Sequence, residues 1–294
     1  MNAKDQLTIK KVDELNTKFL SDLVWLIYSP AITPKQVPLE LRFKLNANLE
    51  QTYKQLTSNK KEYIADKKYK PLGKYAEDLM LFYFQSDPRY NLLVHNLQLI
   101  EDQRTVGELD FLLENLRTGK FIHLEFAIKF YLKVEINGKT VFLGPSTKDW
   151  MQRKVNKLVS TQCQNARTYS HLLPLSIKNQ EFEPKLLLKG ALFYPIEDWE
   201  NKQEKKINEG WWCTVDMVAQ TFIDNCNYYL ITKKEEWIFP FRRSQQLLDF
   251  QVLSSHSKVL LESRNEVMIV RLKPNGDIID RGFLVRQNWP EPMQ

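Results

Sequence analysis

The chain has 294 residues, 43% of them apolar and 27% charged, which is enough to bury a core as one large or two small domains and is typical of a globular protein. No apolar run is long enough to span a bilayer, and Met1-Asn-Ala-Lys-Asp-Gln6 lacks the basic-then-apolar pattern of a secretory signal. Three cysteines (Cys163, Cys213, Cys226) without ligand-like spacing argue against a disulfide framework or zinc knuckle and for a reducing cytoplasm, while a net charge of +6 suits a polyanionic partner without requiring one.

In chain order, residues 13 to 28 are predicted to form a helix, with Asp13 as N-cap, an apolar stripe at Leu15, Phe19, Leu23, Leu26 and Ile27, and Pro30 as stop. A second helix is expected from Pro38 through Leu56. The basic stretch Lys60 to Lys74, which includes Lys67 and Lys68, carries Tyr63 and Tyr69. It fits either phosphate pairing with base stacking or a solvated loop. Leu72 to Phe84 is predicted as a helix. Its run Leu79 to Phe84 is apolar on all sides and therefore buried, and Glu77 lies one turn earlier, where the helix dipole alone favours a carboxylate.

Residues 91 to 100 read as a strand. Two stretches alternating in step follow: Gly107-Glu-Leu-Asp-Phe-Leu-Leu113 and His123-Leu-Glu-Phe-Ala-Ile-Lys-Phe-Tyr-Leu-Lys133. Side chains alternate across a strand, so Leu109, Phe111 and Leu113 share one face with Leu124, Phe126, Ile128, Phe130 and Leu132. Glu108 and Asp110 share the other with His123, Glu125 and Lys129. Asn137-Gly138 marks a hairpin. Residues 148 to 171 are predicted as one long helix with a polar and basic stripe of Lys154, Lys157 and Gln162. Lys185 to Phe193 reads as a strand, 214 to 225 as a helix, Tyr228 to Thr232 as a strand, and Val267 to Leu272 with Ile278 to Arg286 as a hairpin.

Parity fixes which residues share a face but leaves two registers. A turn closing around Arg117 and Thr118 sets Asp110 opposite Glu125. Like charges so placed repel by up to about 1 kcal/mol, which a divalent cation between them would reverse. Hard oxygen ligands of this kind suit Mg²⁺ or Mn²⁺. The shifted register pairs Glu108 with Lys129 and sets Asp110 opposite Ala127. It is the plainer reading from pattern alone, because polar outer faces are common in antiparallel sheets.

The motifs Leu72-Gly-Lys-Tyr-Ala-Glu77, Gly107-Glu-Leu-Asp-Phe-Leu112, His123-Leu-Glu-Phe-Ala-Ile-Lys-Phe-Tyr-Leu132 and Leu143-Gly-Pro145 together resemble an uncharacterised bacterial family within the PD-(D/E)XK nuclease-like superfamily. The resemblance covers roughly residues 72 to 193. It implies an α/β (α+β) fold with a core of helix, three antiparallel or mixed strands, helix and strand. Three segments are expected: an N-terminal helical segment (1–70), the nuclease-like core (71–195) and a β-rich C-terminal extension (196–294).

The function implied is Mg²⁺-dependent (or Mn²⁺-dependent) phosphodiester hydrolysis of DNA. Asp110 and Glu125 would hold the metal, Glu77 would add a ligand directly or through water, and Lys129 would orient or help deprotonate the attacking water. Gln162, Lys154, Lys157, Lys67 and Lys68 are expected to contact the nucleic acid. The chain departs from the superfamily pattern at Ala127, which holds the usual acid position. Glu125 and Lys129 are then separated by roughly 13 Å between Cα atoms instead of about 7 Å, at ~3.3 Å per residue. That departure supports the alternative, an inactive nuclease-fold protein acting as a nucleic-acid or protein binding module. Of the four scattered histidines, His123 shares the acids' face and is expected at the solvent. Trp211, Trp212 and Trp237, near Lys233, Lys234, Arg242 and Arg243, are expected in the core in preference to a base-stacking surface.

Overall fold

The computed structural model describes residues 18–45, 71–218, 226–231, 233–238, 247–264 and 266–291. Among the described residues the fold is α+β, with nine strands in a mixed sheet and several helices. No described helix is long and apolar enough to cross a membrane. The chain forms two compact units. One comprises Asp22–Ile128 with Arg153–Lys189; the other comprises Met1–Ser21, Lys129–Gln152 and Gly190–Gln294. These units interleave along the sequence.

In the unit built on Asp22–Ile128, helix α1 (Lys18–Tyr28) ends on buried Lys189. The Lys189 Nζ donates to Ile27 O at 3.2 Å and Ser29 O at 2.5 Å, which satisfies carbonyls that a helix C-terminus leaves open. Burial pushes this lysine's pKa down, to about 7. Of the helix expected from Pro38 through Leu56, the described part, to residue 45, holds a 3₁₀ turn, Leu39–Leu41, and the remainder lies outside the described residues. Arg42 is already extended (φ −78°, ψ 117°), and its guanidinium is committed to the carbonyls of Pro34, Lys35 and Val37. It forms a parallel bridge with Leu186. Residues 46–70, with Lys67, Lys68, Tyr63 and Tyr69, lie outside the described residues.

Helix α2 (Leu72–Ser86) follows, then strands β1 (Tyr90–Glu101), β2 (Arg104–Asn115) and β3 (Lys120–Ile136). β2 pairs antiparallel with both β1 and β3. Phe84 of α2 packs on Phe111 of β2 at 5.4 Å between ring centroids, and His95 of β1 stacks on the same ring at 4.9 Å. The all-apolar run of α2 is buried as its pattern requires.

The predicted long helix is broken. α3 (Met151–Ser160) stops at Thr161 (φ −124°, ψ −67°), a 3₁₀ turn follows at Gln162–Gln164, and α4 spans only Asn165–Thr168. The Ser160 hydroxyl donates back to Asn156 O at 2.7 Å, a contact that competes with helix continuation. The break turns Cys163, Asn165 and Ala166 inward. Ala166 joins Leu99, Leu109, Leu112, Leu173, Ile177 and Phe182 in one core cluster.

In the other unit, Asn137 (φ 50°) and Gly138 (φ 70°) turn β3 into β4 (Lys139–Leu143), both residues in the left-handed conformation that tight hairpins need. β5 (Phe182–Pro195) leads through the short helix α5 (Ile196–Glu200) to β6 (Glu209–Thr214), which pairs parallel with it. Next come β7 (Asn227–Ile231), α6 (Phe250–Ser263), β8 (Glu266–Leu272) and β9 (Ile278–Val285). The C-terminal strands thus extend the sheet in the order β6-β9-β8-β7.

Trp211 is fully buried and Trp237 nearly so, as expected, whereas Trp212 is only partly buried, its indole N–H donating to Lys133 O at 2.9 Å. The indole N–H groups of Trp199 and Trp211 both donate to Asp280, at 2.9 and 2.8 Å, and Arg271 pairs with the same carboxylate. Arg242, Arg243 and most of the helix expected at 214–225 lie outside the described residues.

Candidate functional site

The pairing of β2 with β3 sets Phe111 opposite Leu124 and Leu112 opposite His123, the register that a turn around Arg117 and Thr118 predicts. Continued by one residue, it sets Asp110 against Glu125. The ladder ends at Phe111, and beyond it the Phe126 N–H donates to Asp110 Oδ2 at 2.9 Å. Asp110 therefore sits where two strands part, with its carboxylate anchored by backbone.

The face bearing the acids is not a solvated outer face. Glu125 and His123 are both fully buried, which corrects the expected exposure of His123. The break between α3 and α4 is the physical reason, because it lays polar side chains over this face. Gln162 Nε2 donates to Glu125 Oε2 at 3.1 Å, and His123 Nε2 lies 3.0 Å from Glu125 Oε1. The other end of the Gln162 amide accepts from Lys154 Nζ at 3.2 Å. A polar chain therefore runs Lys154–Gln162–Glu125–His123. Lys157 lies in the last turn of α3 and is exposed.

Asn165 covers the parted edge of β2, donating from Nδ2 to Glu108 O at 3.2 Å. A Cβ on Gly107 would stand 2.9 Å from that nitrogen, so the glycine of the Gly-Glu-Leu-Asp motif admits the asparagine. Neither Asn165 nor its dependence on Gly107 is expected from the helix pattern; a glycine inside a strand was the available signal.

Electrostatically the centre of the group is Asp110. Burial first, then the charges of Glu125, Glu77 and Glu108, push its carboxyl pKa up from 3.8 to about 8, against the lowering effect of the Phe126 N–H. The same burial and carboxylates raise the neighbouring Cys163 thiol to about 12, which removes a thiolate from the available chemistry.

Lys74, on the same helix as Glu77, is a member of the group that sequence reasoning missed. Its Nζ lies 2.7 Å from Glu77 Oε2 and 3.6 Å from Glu108 Oε1. Lys129 belongs to the other compact unit. There its Nζ lies 2.5 Å from Asp149 Oδ2, with the Tyr131 hydroxyl donating to Asp149 Oδ1 at 3.3 Å.

Among the described residues, no group of three or more His, Cys, Asp or Glu side chains is placed to hold a metal ion. Magnesium does not need such a cage: it commonly binds through one or two carboxylates and keeps several waters. Of the acids the resemblance assigns to a metal, Glu125 is fully buried with its two oxygens against His123 and Gln162, and Asp110 accepts from the Phe126 N–H.

A family described as a domain of unknown function, DUF1853, matches residues 21–285. The chain belongs to that family. No curated protein and no solved structure matches it in the comparisons made.

Proposed function

We propose that this member of an uncharacterised family is a Mg²⁺-dependent phosphodiesterase acting on DNA, through an acidic centre of the PD-(D/E)XK nuclease-like kind. The observation that carries the reading is Asp110. It is a largely buried carboxylate, anchored by a backbone N–H where two strands part, and crowded by three further carboxylates. So much like charge in one place is costly unless a cation offsets it.

Asp110 and Glu125 would hold the ion, and Glu77 would reach it through water. When bound, the ion would acidify a water and stabilise charge on the phosphate. Gln162 and His123 orient the Glu125 carboxylate, so their contribution is positional. Lys154 lies behind Gln162 and Lys157 is exposed on the same helix, a placement that suits backbone phosphates. The resemblance assigns the ammonium of the centre to Lys129, which here is paired with Asp149.

The test is cleavage of linear and circular DNA with Mg²⁺ or Mn²⁺. Wild type should cut and Asp110→Ala should lose at least about 10²-fold, the scale of removing one preorganised electrostatic contact. Equal residual activity in Asp110→Ala would exclude this centre.

The pairing of Lys129 with Asp149, together with Ala127 at the usual acid position, supports a second reading: a nuclease-fold binding module without catalysis. It predicts DNA or protein binding that is unchanged by Asp110→Ala and no cleavage with either ion.

A further inference from the structure

A guanidinium offers its Nε and Nη2 hydrogens as a flat fork, two parallel donors spaced for two oxygens of one acceptor group. Three arginines of this chain show the fork in use. Arg89 turns Nε and Nη2 onto Asp87, and Arg271 turns the same two nitrogens onto Asp280. Arg42 directs them to the carbonyls of Pro34, Lys35 and Val37.

Arg286, the first residue after β9, breaks this pattern. Its Nε and Nη2 are both closed off from solvent, and no described residue accepts a hydrogen bond from either. Donors of a charged group that have lost water and gained no acceptor are costly, more so than neutral ones. A buried water would satisfy the hydrogen bonds and leave the charge unbalanced. The residue as a whole is only partly buried, so the fork lies near the surface and not in the deep core. Its backbone is held in place: Arg286 O accepts from the Trp289 N–H at 3.1 Å, and the Trp289 indole N–H donates to Pro145 O at 2.8 Å. Such anchoring lowers the cost of ordering the site when a ligand arrives.

We infer that Arg286 anchors an oxyanion site, in which two oxygens of a free phosphate or carboxylate ligand fill the fork that Asp87 and Asp280 fill in Arg89 and Arg271. The shared requirement is a negative group with two oxygens on one edge. The ligand is a small free anion, because a fork closed to solvent leaves no approach for a polymer backbone, whereas a small anion enters with side-chain movement alone. The site uses none of the carboxylates around Asp110 and does not rest on the nuclease-like reading.

The experiment is a calorimetric titration of the full chain, free of divalent cations, with inorganic phosphate and separately with acetate, at an ionic strength held constant with chloride. Melting temperature is read in the same buffers. Wild type is compared with Arg286→Lys, Arg286→Met and Arg117→Met. Arg117 is exposed in the turn between β2 and β3 and controls for simple loss of a positive charge. Wild type should take up a single anion. Arg286→Lys keeps the charge and loses the fork, and should bind at least about tenfold more weakly. Arg286→Met should not bind, and Arg117→Met should match wild type. The anion should raise the melting temperature of wild type and Arg117→Met but not that of Arg286→Met.

Tighter binding of phosphate than acetate assigns the ligand to phosphorylated molecules, and the reverse order assigns it to carboxylates; either order supports the site. Binding of neither anion to wild type would mean that the fork holds only water, and the site falls. Equal binding by wild type and Arg286→Lys would mark an adventitious ion only, with the same consequence. Should Arg286→Met fail to fold, Arg286→Lys decides by that criterion.

Discussion

Asp110 titrates where most aspartates do not, and that gives the metal-free protein a signature in pH. Its folded-state pKa of about 8 lies above the unfolded value of 3.8. The folded protein therefore binds this proton more tightly than the unfolded chain does. Stability from this group is complete below about pH 4 and is lost as pH rises through about 8. In chelated protein, the melting temperature of Asp110→Asn should gain on wild type as pH rises from about 5 to about 9. Parallel curves would contradict the crowding of charge at this residue.

At the same scale, alternation alone was enough to sort Glu108, Asp110, His123 and Glu125 onto one face. It gave no sign that the face is covered, because the cover comes from Gln162 and Asn165, more than thirty residues on. His123 was therefore misjudged as a solvent-facing residue. Lys74 was legible only as one lysine among many in a basic stretch, since its partner Glu108 lies on a strand with no local link to it.

At the scale of elements, patterns tied to short-range chemistry survived and those dependent on tertiary contacts did not. Asn137-Gly138 specified its hairpin because both residues accept positive φ. The apolar run of α2 specified a buried helix. The stretch 148–171 has the spacing of one long helix, but Ser160 and Thr161 end α3, and the core takes Cys163 and Ala166 on a different turn. α6 went unread, although Asp249 caps it by accepting from the Val252 N–H at 2.8 Å and buried Leu253, Ser257 and Leu261 recur at helical spacing.

One strand contact is tight enough for a prediction. Gly190 in β5 has φ +121°, and a Cβ there would stand 1.7 Å from the Lys129 carbonyl oxygen. The neighbouring atom is backbone and cannot give way cheaply. Gly190→Ala should destabilise the protein by about 3 kcal/mol or more in urea unfolding, combining steric overlap with a conformation alanine avoids. A loss below about 1 kcal/mol would mean that β3 and β5 approach less closely here.

Across the whole molecule, the β-rich character of the last hundred residues and the hairpin of β8 with β9 were legible in the sequence, but the order of the strands there was not. The strands there pair in the order β6-β9-β8-β7 around a core that includes Trp199, Trp211, Tyr228 and Leu284. Their order was illegible because parallel pairing of β6 with β5 and β9 links segments with no turn between them. The carboxylates, by contrast, all fall within one compact unit, with Lys74, Gln162 and Asn165. These acids are thus contained in a single compact unit, whereas Lys129 lies in the other.

The most direct measurement is the anomalous scattering of crystals soaked in Mn²⁺. The acidic centre predicts a peak within about 2.2 Å of an Asp110 carboxylate oxygen, with waters completing the coordination, and no such peak in Asp110→Ala crystals. Mn²⁺ bound only elsewhere, or an Asp110 carboxylate that stays bare at saturating Mn²⁺, would contradict the metal-dependent reading.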